Sequence, residues 1–363
     1  MAAFHRGRLW AAGAEQEQKA GEAGGHGCYS DRHDAGQHEP ASAARPSPTV
    51  DPAAALAQKP LHLPEMHPMP DMIEPVIGLI GGSGLYDIDG LEEREWRRVE
   101  TPWGEPSDEL LFGRLAGVRC VFLPRHGRGH PTPPSALNYR ANIDALKRSG
   151  VTEILSLSAV GSLREDLPPG HFVIVDQFID RTFAREKSFF GTGCVAHVSV
   201  AHPVCPRLGD AVEGAARGLG LPVTRGGTYL VMEGPQFSTK AESELYRSWG
   251  CSVIGMTNMP EAKLAREAEL CYATVAMVTD FDCWHPDHDH VTVDQVVKVL
   301  FGNADKARAL VKAVVPKLGM PRGPCPAGCD RALDHALITA PEKRDPAMLA
   351  KLDAVAGRVL RAA

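Results

Sequence analysis

From about residue 76 onward, short apolar runs recur along the chain, separated by glycine-rich or charged stretches. The runs at 76–80, 118–123, 154–157, 172–175, 228–232, 251–254 and 272–278 are too short for helices. They are rich in valine, isoleucine and leucine, which predicts buried strands. Between them the period changes. Tyr139, Ile143 and Leu146 keep helical spacing, and 239–249 is a helix carrying Ala241, Leu245 and Trp249 on one face. Pro260 suits a first helical position, and Glu261, Leu264, Ala265 and Ala268 continue that helix to about Leu270. Val291, Val293, Val296 and Leu300 open a long helix ending near Leu318, and 332–337 and 348–360 carry two shorter helical patterns. The segment 185–206 has little periodicity and reads as a long loop. Strands alternating with helices predict an α/β fold.

The chemistry collects where the strands end. Gly81-Gly82-Ser83-Gly84 follows the first strand, a turn in which glycine lets backbone N–H groups approach an anion. It lacks the spacing of a dinucleotide fingerprint, and no P-loop lysine follows. The second strand stops at Pro124-Arg125-His126-Gly127, where the arginine offers forked donors to phosphate oxygens. The third ends in Ser158-Ala159-Val160-Gly161, small residues that leave room for an anion. The unit 254–284 delivers Met256 and Thr257 at one strand end and Thr279-Asp280-Phe281-Asp282 at the next. Ligands of open α/β sheets gather outside such ends.

Composition narrows the class. The net charge of −6 gives no nucleic-acid footprint, and no apolar run is long enough to predict a membrane span. Nine scattered cysteines point to reduced thiols in the cytoplasm. For Cys325 and Cys329, free thiols are favoured over a disulfide. His285, Asp287, His288, Asp289 and His290 are nearly contiguous and lack the helical spacing of a zinc motif, so they read as a solvated loop and no metal is expected. Residues 1–71 are rich in Ala, Gly, Pro, Gln and His, with Phe4, Trp10 and Tyr29 isolated. They read as a disordered extension, or as a start placed too early, ahead of a body beginning at Met72. The body divides into 72–320 and a helical tail, 321–363.

The segments RHG with PSALNYRANI, EGPQFS, GMT-x-x-PE and TDFDCW, in that order, resemble the purine nucleoside phosphorylases, in particular the 5′-methylthioadenosine phosphorylase branch. The resemblance covers about 76–318. It implies a single α/β domain around a mixed, partly barrel-like sheet flanked by helices, and a homotrimer, or in some members a hexamer. It also implies phosphorolysis of 5′-methylthioadenosine to adenine and 5-methylthioribose 1-phosphate, in purine and methionine salvage. Inorganic phosphate is then a co-substrate and no cofactor is needed. Ser83, Arg125, His126, Ser158, Ala159 and Thr257 become the phosphate set. Met256 would lie along the ribose, and Phe237 would stack beside the purine with Ser238 and Phe281 nearby. His197 would reach a neighbouring subunit's site, while Val293 and Val296 would make the 5′ pocket apolar. Asp280 is the expected general acid toward N7. Asp282 either accepts from the N6 amino group or holds Asp280, and which of the two carries the proton stays open. The alternatives are a methylthioinosine or general purine nucleoside phosphorylase, favoured by Gly255, and, more distantly, a hydrolytic nucleosidase.

Overall fold

The computed structural model describes residues 72–361 except Ser83 and 287–292, and describes 293–298 by backbone only. The reading of 1–71 as an extension therefore lies outside the described residues. The order begins with strands β1 (Ile77–Gly81), β2 (Leu91–Arg97), β3 (Leu110–Leu115) and β4 (Val118–Pro124), then helix α1 (Tyr139–Arg148). Strands β5 (Glu153–Ser162), β6 (Phe172–Ile174) and β7 (Gln177–Asp180) precede α2 (Pro206–Gly218). Next come β8 (Val223–Arg225), β9 (Thr228–Val231), α3 (Lys240–Ser248), β10 (Val253–Gly255), α4 (Asn258–Glu267) and β11 (Cys271–Asp280). The chain closes with α5 (Val293–Leu318), α6 (Pro346–Lys351) and α7 (Gly357–Leu360).

Eleven strands form one mixed sheet in the order β2-β3-β4-β1-β5-β10-β9-β7, with β11 added to β5, β6 to β11 and β8 to β6. The sheet thus forks at β5, which pairs parallel with β1 and β11 and antiparallel with β10. Alternation along the strands builds two cores. Ile77 and Leu79, Cys120 and Phe122, and Leu155 and Leu157 face one side with Leu310 and Val314 of α5 and Val212 of α2. Ile80, Val121, Leu123 and Ile154 face the other, with Ile143 of α1 and Leu264 of α4. Helices therefore cover both faces, as parallel strands buried on both sides require.

Several expectations need correction. The face of α3 carrying Leu245 and Trp249 is exposed, at 46% and 45%, and the helix instead buries Ser243 and Tyr246. Apolar spacing on a helix whose neighbours are few does not guarantee burial. Residues 332–336 form turns, because the hydrogen bonds Asp334 N–H to Arg331 and Ala336 N–H to Leu333 close tight turns rather than helical ones. Strands β2, β3, β7 and β8 and helix α2 were not foreseen. β2 is mostly exposed and charged, so no apolar run marks it. The loop between β7 and α2 is a loop, as read.

Candidate functional site

The strand ends converge on a cavity of about 430 Å³. Of the residues picked from sequence, it brings together Arg125, His126, Ser158, Ala159, Phe237, Met256, Thr257, Asp280 and Asp282. β5 positions much of this wall. Ser158 pairs with Ala276 of β11, and Asp280 pairs with Gly161 after a bulge at Thr279. Ser158 and Asp280 are thus three β5 positions apart in register, about 10 Å along the strand, a separation that a sugar and base can span. Glycine at 161 makes room for both carboxyls, since a Cβ there would sit 3.0 Å from Asp280 Oδ1 and 3.3 Å from Asp282 Cβ and press them apart by a few tenths of an ångström.

At the Ser158 level the donors gather. Ser158 Oγ lies 3.1 Å from the Tyr229 hydroxyl and 3.3 Å from Thr257 Oγ1. Thr257 precedes α4, whose backbone turns helical only after Met259 (φ −119°, ψ 131°), and its side chain makes no capping bond, so its hydroxyl remains for another acceptor. His126 accepts no proton at Nδ1, which faces the Thr132 carbonyl at 2.9 Å and must donate to it. Burial holds its pKa down at about 4, and the ring stacks on His130 with centroids 4.1 Å apart.

Arg125 departs from the simple phosphate clamp. Only 3% exposed, it gives Nε to Glu261 Oε2 at 2.9 Å, Nη1 to the Leu157 carbonyl at 3.0 Å and Nη2 to Ser156 Oγ at 2.6 Å. Burial alone would lower its pKa, but Glu261 outweighs that and raises it. Glu261 Oε1 also accepts from Ser156 and Tyr272, and Asn258 ties into both. Arg125 therefore lines the cavity while its guanidinium belongs to a buried network.

At the other level stand two carboxyls. Asp280 Oδ1 accepts from the Asp282 amide at 2.8 Å, and Oδ2 lies 2.7 Å from Thr279 Oγ1. That hydroxyl is also 3.1 Å from the Val160 carbonyl. One hydroxyl hydrogen cannot serve both oxygens. When Thr279 donates to Val160, the shorter contact is satisfied by a proton on Asp280. Burial pushes Asp280 above the ordinary carboxylate range, although Thr279 pulls the other way. Asp282 is also raised, first by burial and then by the Asp280 charge. Among the described residues its Oδ2 is buried without a hydrogen-bond partner, and its Oδ1 is 3.5 Å from Ser238 Oγ.

Not every expected residue lines the cavity. Phe281 is a correction: it packs edge-on to Trp284 and stacks on His285, in a small core with Leu163. The turn that brings Asp280 and Asp282 to the cavity sends the residue between them elsewhere. Ser238 does not line the cavity itself but contacts two residues that do, Met232 and Asp282. His197 is exposed, its amide bonded to the Ala336 carbonyl, outside the cavity of its own chain. Ser83, the side chains of Val293 and Val296, and Asp287, His288, Asp289 and His290 lie outside the described residues. Further along α5, Leu300, Ala304 and Ala307 do form cavity wall.

Sequence reading missed the supports. Arg185, from the featureless loop, gives Nη1 to the carbonyls of Met256 (2.6 Å) and Met259 (2.7 Å) and Nη2 to that of Glu233 (2.6 Å). It thereby ties the turn after β10 to the segment after β9. Gly255, which had suggested a 6-oxopurine substrate, has another cause. A Cβ there would lie 2.0 Å from the Tyr229 hydroxyl, the same group that contacts Ser158. Packing, not base choice, demands glycine.

A sequence profile of the Phosphorylase superfamily matches residues 76–316. The chain is 70% identical over 287 residues to the S-methyl-5′-thioadenosine phosphorylase of Rhodospirillum rubrum, covering 79% of this chain and 98% of that one. It is 64% identical over 290 residues to the enzyme of that name from Bradyrhizobium diazoefficiens, covering 80% and 100%. Among solved structures, a methylthioadenosine phosphorylase from an Antarctic soil metagenomic library superposes with a TM-score of 0.72 at 46% identity, covering 78% of this chain and 99% of that one. The methylthioadenosine phosphorylase from Schistosoma mansoni in complex with adenine gives 0.65 at 41%, covering 68% and 92%. With its mixed sheet flanked by helices and these relatives matched over almost their whole length, the chain belongs to the phosphorylase superfamily.

Proposed function

We propose that the protein catalyses phosphorolysis of 5′-methylthioadenosine, giving adenine and 5-methylthioribose 1-phosphate, and so serves purine and methionine salvage. The observation that carries the reading is one cavity with two chemistries: hydroxyl donors beside Arg125 and His126 at one level of β5, and two carboxyls raised by burial at another. Phosphate held by Ser158, Ala159, Thr257 and His126, with Ser83 joining from the glycine turn, would attack C1 of the ribose from below. The C1–N9 bond breaks as the new C–O bond forms, inverting C1. The proton of Asp280 passes to N7, so the base leaves neutral and the carboxyl leaves as carboxylate. Asp282 holds Asp280 by its amide and can accept from the N6 amino group. Met256 and Phe237 supply the apolar walls for sugar and base, and α5 supplies that of the methylthio end.

The relatives' names support methylthioadenosine, and the packing origin of Gly255 removes the residue that favoured an inosine substrate. Because His197 lies outside its own chain's cavity and apolar residues such as Phe183 are exposed (82%), we infer a homotrimer in which a neighbour completes each site. Light scattering should give three chains per particle. The decisive assay compares methylthioadenosine, methylthioinosine, adenosine and inosine with and without phosphate. Turnover of methylthioadenosine only with phosphate supports the reading, whereas turnover in its absence makes the protein a nucleosidase.

A further inference from the structure

Four buried cysteines meet at a point away from the cavity. Cys205 immediately precedes α2, Cys271 opens β11, and Cys325 and Cys329 lie in the segment after α5. Their sulfurs all fall within 4.8 Å of one another, and none lines the cavity. Buried thiols can pack as ordinary apolar groups, but then nothing requires four to converge from three remote segments. A zinc ion bound by four thiolates at about 2.3 Å places sulfurs about 3.8 Å apart at the corners of a tetrahedron. The Cys205 and Cys325 sulfurs are 3.8 Å apart. A disulfide would bring one pair to about 2.05 Å, and all eight described cysteines are free.

The surroundings suit thiolates. Cys325 and Cys329 flank a tight turn in which Gly328, at φ +66°, donates to the Cys325 carbonyl at 2.8 Å. Only a residue at ease in the left-handed region closes that turn readily. Asp330 fixes the turn by accepting from the Cys325 amide at 2.7 Å and from Arg322 at 3.3 Å. Arg322 Nη2 in turn lies 3.7 Å from the Cys271 sulfur, while Arg322 and Arg207 share Glu153 Oε1 at 2.6 and 2.5 Å. Cationic donors held beside a metal-bound sulfur are the expected outer partners of such a site. On the body side, the Cys205 amide donates to the Tyr272 carbonyl at 2.7 Å, and so sets Cys205 next to Cys271.

We propose that Cys205, Cys271, Cys325 and Cys329 bind one zinc ion, which fastens the segment after α5 to the edge formed by α2 and β11. The sequence reading expected no metal: it weighed one only for the 285–290 run of histidines and aspartates, and took Cys325 and Cys329 as free thiols, although their C-x3-C spacing is one that zinc sites use. The role is structural: all four positions are filled by protein sulfur, which leaves none open for substrate.

The test uses the full chain purified without chelators from zinc-replete medium. Elemental analysis should find about one zinc per chain. Cys325→Ser and Cys329→Ser should each lower the zinc content at least tenfold and lower Tm, while kcat/KM of the protein that remains folded changes less than twofold. Should both variants fail to fold, cobalt titration of chelator-stripped wild type decides the matter. One equivalent giving the intense thiolate charge-transfer and visible bands of a tetrahedral tetrathiolate supports the site. Wild type that carries no zinc and shows no such cobalt spectrum overturns it. So does a mass showing the four sulfurs paired as disulfides, or iron in place of zinc in the purified protein.

Discussion

Asp280→Asn separates base recognition from general damage. An amide can donate to N7 but has no proton to give up, and its geometry suits a carbonyl at position 6. Activity on methylthioadenosine should fall ~10²–10⁴-fold, the usual range for a lost general acid, with a much smaller loss on methylthioinosine. The ratio of kcat/KM for the two nucleosides is the readout, since a folding defect lowers both. A ratio within about threefold of wild type would remove Asp280 from base recognition. Arg125 tests a different point. Arg125→Ala leaves Glu261 buried without its cation, which should cost about 3–5 kcal/mol in urea denaturation, beyond any rise in the KM for phosphate. The double variant Arg125→Met with Glu261→Gln should recover much of that stability, because no charge then stays unpaired. The strand-end motifs were legible because each polar group follows an apolar run that locates it. Arg185 and Glu261 were not. One sits in a segment without period; the other was placed on the helical spacing and in the GMT-x-x-PE motif, but nothing local in the sequence pairs it with Arg125, 136 residues away.

Among the elements, α4 carries a pH-dependent tie. Glu267 accepts from Ser188 Oγ at 2.8 Å and from the Phe189 amide at 2.7 Å, so it holds the loop between β7 and α2 against the core. Burial raises its pKa to about 7 despite those donors. Between about pH 4.5 and 7 the folded chain thus binds more protons here than the unfolded one. Stability from this group falls as pH rises through that window, by roughly 3 kcal/mol in all, and is flat above it. His126 works in the opposite sense. Its folded pKa of about 4 lies below the ordinary 6.5, so its contribution rises with pH between those values. Asp280 and Asp282, also raised by burial, share the sign of Glu267, so only the difference between variant and wild type isolates this group. Urea denaturation of Glu267→Gln should therefore show stability that rises with pH relative to wild type between about 4.5 and 7, because the falling contribution of Glu267 is gone. A profile parallel to wild type would mean that Glu267 titrates normally. Neither group was legible as a titration site, because burial depends on what packs over a residue. The helix bearing Glu267 was legible, from Pro260 and the apolar spacing that follows it.

At the scale of the whole molecule, most of the sheet could be anticipated from apolar runs, yet its fork could not. β5 is ten residues long and pairs with three strands, whereas its sequence shows only a four-residue apolar run before the small polar residues that line the cavity. The cysteine cluster was hidden for a related reason, since only Cys325 and Cys329 are near each other in sequence, while Cys205 and Cys271 join them through long-range closure. The reverse holds for residues 1–71, where composition is the whole argument. They carry isolated aromatics and no sustained apolar period, so ordering them would cost backbone entropy with little burial to offset it. The Rhodospirillum rubrum relative aligns over 98% of its own length while covering 79% of this chain, and the profile match starts at residue 76. That relative is thus built almost entirely within the part that matches here. A chain starting at Met72 should melt within about 1 °C of the full chain and keep kcat/KM for methylthioadenosine and phosphate within a factor of about two (under ~0.5 kcal/mol). A drop in Tm beyond about 4 °C would show that the first 71 residues bury apolar surface against the body. A loss of kcat/KM at unchanged Tm would place them at the site instead.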